Sequence, residues 1–414
     1  MHQVAAKNTH PAPATHTVPT AGLPIELLTK VLSHLTSKTN ARLTCRLLRI
    51  TIDARTTTLR WTGRGMQGDR LHGNLPCYTD AVTCLECSNF ALSSLAGCPR
   101  TLTSLDCTGT AVKDLWALSF CTGLTHLYIG DTRVSSLACI AALTALERLQ
   151  CNDTRVTSLQ PLARLTALRH LNMNSTQVQS MVYLSTLTSL QFLDCSLTNV
   201  SSLECLSTLT ALQYLDCSRI DVSTSECLAR LTALRHLDCS GTQVSSLASL
   251  SRLTCLESLA VNDTSVSSLA HVSTFTALRS LDCRGIDVST LEHISALTGL
   301  RHLDISHTDV ADLTYLTAFK SLLYLDVSHT DVPDLGCVSA ITSLRHLNVS
   351  DTTVSDLAPL VTCVELSNLR CGGTMVTDFG PLTSLVALKD LDCGNLAHIH
   401  HTLCQLTRNG VRLT

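Results

Sequence analysis

Aromatic residues are scarce in this 414-residue chain, where phenylalanine, tryptophan and tyrosine together make up 3%. A core built with so few rings must be filled by aliphatic side chains, and 45% of the residues are hydrophobic. Charge is also sparse, at 15% of residues with a formal net charge of -3, so no global field favours nucleic acid or an anionic membrane. No uninterrupted apolar run approaches the ~18 residues of a membrane span. Residues 1–21, rich in Pro, Thr and His without an apolar run, read as a disordered lead-in and not as a signal peptide. No Gly-rich loop follows a strand pattern to cradle a phosphate, and no motif sets a nucleophile beside a base. The expectation is therefore a chain without enzymatic activity and without a cofactor.

What the chain has in abundance is self-similarity. From Leu102 to Leu388 a leucine recurs every 22 residues, and one copy reads Leu234-Arg-His-Leu-Asp-Cys-Ser-Gly-Thr-Gln-Val244. A degenerate copy, with Val82, Leu85 and Cys87, precedes them. The pattern Leu-x-x-Leu-x-φ-x-x-Thr-x-Val, with φ apolar, resembles the leucine-rich repeat. Pro359 and Pro381 resemble its 22-residue internalin type. An α/β solenoid is expected over residues 82–395, with parallel strands on the concave face and 3₁₀ or short helical turns on the convex one. Residues 63–81 would form a linker and N-terminal cap, and residues 396–414 a C-terminal cap.

Each unit opens with an alternating stretch such as Leu300-Arg-His-Leu303-Asp-Ile305, which puts Leu303 and Ile305 on one side of a strand and His302 and Asp304 on the other. The return limb carries apolar residues three apart, such as Val244, Leu247, Leu250 and Leu253, a spacing that favours 3₁₀ turns over an α-helix. After the strand a threonine stands where the family usually holds Asn, and its hydroxyl can supply part of the same turn bonding. Ile220, Ile286 and Leu396 replace it and cannot. Ser225 interrupts the leucine column, so Arg219–Cys227 is the expected soft spot.

The 21 cysteines follow the register. Eight of them, from Cys107 to Cys393, share one column with Ile129, Met173, Val261, Ile305, Val327 and Val349. A position that exchanges Cys with Val and Ile is an inward core site for a free thiol, which points to a reducing compartment, cytoplasmic or nuclear. His398, His400, His401 and Cys404 lack a second pair at ligand spacing, so no metal is expected.

Ahead of the repeats, Pro24 suits a first helical position and Glu26 its first turn, while Leu27, Leu28, Val31, Leu32 and Leu35 fall on one helical stripe. Leu43, Leu47 and Ile50 form a second stripe, and a third short segment ends at Leu59 and Trp61. With Leu23-Pro24, Glu26-Leu27-Leu28, Val31-Leu32, Leu35, Cys45-Arg46 and Arg49, residues 22–62 resemble an F-box. The resemblance implies a small all-α module whose Leu23, Pro24, Leu27, Leu28, Val31, Leu32 and Leu35 grip a Skp-type adaptor of a cullin-based ubiquitin ligase. The segment departs from the family in a shorter link between its first two helices, and in Leu47 and Leu48 where many members carry an aromatic. A plain cap shielding the first strand edge is the alternative.

The open strand face carries the candidate partner-binding residues. One outward column includes His170, Phe192, Tyr214, His236, His302, Tyr324 and His346, and the column two residues on includes Asp194, Asp216, Asp238, Asp282, Asp304 and Asp326. Carboxylates ~4.8 Å apart on successive strands repel by about 1 kcal/mol in water. Either Arg235, Arg279, Arg301 and Arg345 relieve them internally or a Lys- or Arg-bearing partner does, unless the columns are merely copied by duplication and solvated. The leading expectation is a substrate receptor of a Skp-cullin-F-box type ligase, monomeric apart from that complex, binding the adaptor and a protein substrate. The alternative is a leucine-rich-repeat scaffold without a ligase role.

Overall fold

A computed structural model describes residues 49–52, 58–62, 82–87, 92–394 and 405–413. The adaptor-binding candidates Leu23 to Leu35, and the tail residues His398, His400, His401 and Cys404, lie outside the described residues.

The described residues form one eighteen-strand sheet. Its strands are β1 (Arg49–Ile52), β2 (Thr58–Thr62), β3 (Cys84–Glu86), β4 (Ser104–Asp106) and then three-residue strands every 22 residues from His126–Tyr128 to β17 (Asp390–Asp392), closed by β18 (Arg412–Leu413). From β2 onward each strand pairs in parallel with the next, so that Leu215, Leu237, Leu259, Leu281, Leu303 and Leu325 stand in one row. The rungs are tied by the backbone: His236 N–H donates to Gln213 O at 3.0 Å and Cys239 N–H to Ala260 O at 3.0 Å.

The return limb is 3₁₀, as the three-residue spacing predicts. Thirteen such segments run from Trp116–Phe120 to Gly380–Ser384 among the described residues, each burying a residue such as Leu228 or Leu250. The strand leucines, the column of Cys, Val and Ile, and the limb leucines together make one continuous core. No described helix is long and apolar enough to cross a membrane.

Turn chemistry repeats with the same period. The residue before the threonine takes a left-handed conformation on each rung from Gly109 to Gly373, including Asp153, Leu197, Gly241 and His307. The threonine hydroxyl then donates to the carbonyl three residues back, as in Thr154 to Cys151 at 2.6 Å, Thr198 to Cys195 at 2.7 Å and Thr330 to Val327 at 2.6 Å. Ile220 and Ile286 have no such donor and are buried instead. Their rungs carry a two-residue backbone turn, from Val222 N–H to Ile220 O and from Val288 N–H to Ile286 O, each 3.0 Å. Ser225, buried in the leucine column, finds Ser249 Oγ at 2.7 Å.

The column cysteines are buried free thiols. They do more than fill volume: the thiols of Cys195, Cys217 and Cys283 each donate to a strand carbonyl of the next rung, Asp216 O, Asp238 O and Asp304 O, at 3.3 Å. Burial pushes the Cys151 thiol up to about 12, which keeps it protonated and inert.

The N-terminal part requires a correction. A second helical stripe through Ile50 and a third segment ending at Leu59 and Trp61 were expected, yet Arg49–Ile52 and Thr58–Thr62 are strands. Thr58, Leu59 and Arg60 pair with Cys84, Leu85 and Glu86. Both segments are rich in β-branched residues, and the open edge of the first rung offers a hydrogen-bonding template that an isolated short helix does not.

Candidate functional surface

Because strand side chains alternate, the first and third residues of every three-residue strand stand on the outward face. Parallel pairing without a register shift sets His170 beside Phe192, Phe192 beside Tyr214 and Tyr214 beside His236. The rings pile into a ladder: His170 to Phe192 is 3.9 Å between centroids, Phe192 to Tyr214 is 4.2 Å, and Tyr214 to His236 is 6.0 Å. A second ladder joins His302 to Tyr324 at 5.8 Å and Tyr324 to His346 at 6.2 Å. The predicted ring residues are thus brought together as two groups.

The aspartate column also forms as predicted, with Asp194, Asp216 and Asp238 on adjacent strands and Asp282, Asp304 and Asp326 on three more. What relieves these carboxylates was missed. Asp216 Oδ1 accepts both the backbone N–H of Ser218 at 2.9 Å and its hydroxyl at 2.7 Å, and Asp304 is bound likewise by Ser306 at 2.9 and 2.6 Å. Asp194, Asp238 and Asp326 repeat the motif with Ser196, Ser240 and Ser328. One oxygen of each carboxylate therefore closes the turn that ends its strand. The Asp-x-Ser spacing was the sequence signal for it.

The strand-entry arginines do not do this work. Arg235 pairs with Glu257, and Arg345 with Glu365 at 3.0 Å, each one rung along and ahead of the strand. The serine bonds, and Arg284 beside Asp282 and Asp304, therefore offset only part of the repulsion along the column. Burial first, and Asp238 second, push the Asp216 carboxyl up to about 6; burial and Asp304 do the same to Asp282. Asp194 and Asp304 are also raised, chiefly by burial. Burial lowers His302 and His346, which favours their neutral form.

The second oxygens differ between the two groups. Asp326 Oδ2 accepts from Asn348 Nδ2 at 2.9 Å and from the Tyr324 hydroxyl at 3.3 Å. For Asp216, Asp238 and Asp304, Oδ2 has no hydrogen-bond donor among the described residues. Two arginines bound the face. Arg148 stands in the ring column one rung before His170, and Arg370 in the aspartate column one rung after Asn348. Between them neither outward column holds a Lys or Arg. Beyond that end, a shallow cleft lined by Asn368, Arg370, Asp390, Asp392 and Arg412 has its charges matched, with Arg412 Nε 2.6 Å from Asp390 Oδ1. No group of three or more His, Cys, Asp or Glu among the described residues is placed to hold a metal ion.

The stacked parallel rungs, the 3₁₀ return limb and the inward leucine rows make the fold that of a leucine-rich-repeat protein. Solved structures agree. The chain is similar to an internalin, InlF, from Listeria monocytogenes, with 23% identity over 72% of this chain and 88% of that one and a TM-score of 0.69. It is similar to the functional domain of InlJ from the same organism, which includes a cysteine ladder, with 22% identity over 76% and 74% and a TM-score of 0.62. A leucine-rich-repeat protein of Leptospira interrogans aligns over 80% and 95% with 16% identity and a TM-score of 0.71. No protein-family model and no curated protein sequence matches the chain.

Proposed function

We propose that this chain is a protein-binding scaffold that captures a cationic protein segment on its outward sheet face, and that it does so as the substrate receptor of a Skp-cullin-F-box type ubiquitin ligase. The observation that carries the first half is the stretch between Arg148 and Arg370, where stacked rings run beside raised-pKa carboxylates with no Lys or Arg in either column. A cationic side chain placed there relieves carboxylate repulsion and lays its aliphatic stem along the ring ladder, whereas an anionic partner is repelled. The second half rests on the resemblance of Leu23, Pro24, Leu27, Leu28, Val31, Leu32 and Leu35 to the adaptor-gripping residues of an F-box. In that role ubiquitin transfer belongs to other subunits, and this chain needs no catalytic residue. The free thiols of the core suit a reducing compartment.

Two variants separate the halves. Substituting Pro24→Ala with Leu28→Ala is expected to abolish co-purification of a Skp-type adaptor and to leave partner capture intact. If the wild-type chain retains no adaptor, the ligase role falls and the scaffold stands. A photo-cross-linker at Tyr214 is expected to trap a partner that the same cross-linker at Ser207, on the return limb, does not. Equal trapping at both positions rejects the sheet face as the binding surface.

A further inference from the structure

Both outward columns are interrupted at the same place. Ser258 and Ser280 stand where the flanking strands carry rings, and Ala260 replaces the aspartate on the first of those two rungs. The interruption leaves two groups alike in layout, each a tyrosine with a ring on either side and an aspartate two residues on along its own strand. Tyr214 and Tyr324 lie five strand spacings apart, ~24 Å along the sheet at ~4.8 Å per strand. Tyr214 sits 4.2 Å from Phe192 and 6.0 Å from His236, while Tyr324 sits 5.8 Å from His302 and 6.2 Å from His346.

Building on the proposal that the face captures a cationic segment, we infer that it is bipartite: the Tyr214–Asp216 group and the Tyr324–Asp304 group each seat one Lys or Arg of a single extended segment, six or eight residues apart. The spacing follows from geometry. An extended chain rises ~3.3 Å per residue and sends alternate side chains to the same side. Six residues therefore span ~20 Å, close to the four strand spacings (~19 Å) from Asp216 to Asp304, and eight span ~26 Å, close to the ~24 Å between the tyrosines. A spacing of seven turns the second cation away from the sheet. Such a segment crosses the strands and not along them, so it is held by side chains and does not add to the strand ladder. Smaller side chains at Ser258, Ala260 and Ser280 leave room for whatever lies between the two cations.

The two groups are not equal. In the second, Asp326 already accepts from Tyr324 and Asn348, and the Arg284 charge already acts on both Asp282 and Asp304. The carboxylate nearest Tyr324 with an Oδ2 free of donors among the described residues is therefore Asp304, in a field partly neutralised. In the first, Asp216 and Asp238 both offer Oδ2. The Tyr214 group is thus the stronger anchor and the Tyr324 group the one that selects spacing.

The test is fluorescence anisotropy of the full chain with labelled 14-residue peptides of Gly, Ser and Ala. Each peptide carries one arginine, or two arginines separated by two to ten positions. The expected result is tightest binding at a separation of six or eight, at least tenfold tighter than the single-arginine peptide and tighter than a separation of seven. Asp304→Asn, which keeps the turn acceptor used by Ser306, is expected to remove the dependence of affinity on arginine separation, so that two-arginine peptides bind alike at six, seven and eight. Affinity that tracks the number of arginines whatever their separation overturns the bipartite arrangement while leaving cationic capture in place. Failure of every peptide to bind overturns both.

Discussion

The two sides of a single strand obey different rules. On the inward side of Tyr214–Asp216, Leu215 and the following Cys217 are completely buried, and their counterparts on other rungs are Leu and Cys, Val, Ile or Met. On the outward side, Tyr214 and Asp216 change from rung to rung to Phe, His, Ser, Asn or Ala. The inner columns are specified by volume and apolarity, since a buried Leu contributes roughly 1.5–3 kcal/mol whichever rung it occupies. The outer columns are free of that constraint, so their departures from the repeat at Ser258, Ala260, Arg148 and Arg370 mark out a bounded surface. Aspartate bridges the two regimes, with one oxygen closing a turn and the other turned to the surface.

The largest effect that separates the sides belongs to the core. Leu215→Ala should cost about 2–5 kcal/mol in chemical denaturation. Contacts in a solenoid are between neighbours, so faster hydrogen exchange should concentrate on the rungs flanking residue 215. Thr198→Val comes next: it removes the hydroxyl from the Cys195 carbonyl and should cost about 1–3 kcal/mol. The rungs of Ile220 and Ile286, which lack that donor already, should exchange faster than their threonine-bearing neighbours in the native protein.

Acidification probes the outer column alone. Asp216 and Asp282 have folded pKa values near 6, against ~3.9 for an unfolded aspartate, so between these values the folded chain holds protons that the unfolded chain has released. Their contribution to stability is full below the lower value and lost as pH rises through 6. His302 and His346, whose pKa values burial lowers, act in the opposite sense over the same range, so the aspartate effect is read by difference. The change in denaturation midpoint from pH 7 to 5 should be more favourable in wild type than in Asp216→Asn with Asp282→Asn. The smallest effect is expected of Asp238→Asn, under about 0.5 kcal/mol, because the retained amide oxygen still accepts from Ser240. Asn348 already serves Ser350 in this way at 3.1 Å, and Asn172 serves Asn174 at 3.0 Å. Asp238→Ala, which removes the acceptor, should cost about 1 kcal/mol.

Repetition made most of the solenoid legible before any coordinates. A leucine every 22 residues dictates the stacking, three-residue spacing dictates the 3₁₀ limb, and exchange of Cys with Val dictates inward thiols. Which side chains share the outward face was equally readable, because a two-residue alternation leaves no choice. The partners of those side chains were not. Asp194 and its equivalents looked like an unpaired column awaiting arginine, but Ser196 and its equivalents lie two residues away and reach them at no entropic cost of long side chains. Arg235 and Arg345 instead meet Glu257 and Glu365. Ahead of the repeats no periodicity constrains the chain. There the helical stripe through Ile50 lost to local β-propensity, and the segment ending at Trp61 to that propensity together with an unpaired strand edge.

The central claim is that the outward columns bind while the inward ones hold the fold. It is tested most directly by one chain carrying Asp216→Asn, Asp238→Asn and Asp304→Asn together, compared with wild type for both its urea midpoint at pH 7 and its affinity for the two-arginine peptide of separation six. A midpoint unchanged or slightly raised, with affinity reduced at least tenfold, is the predicted result. Unchanged affinity in a folded triple variant would contradict it.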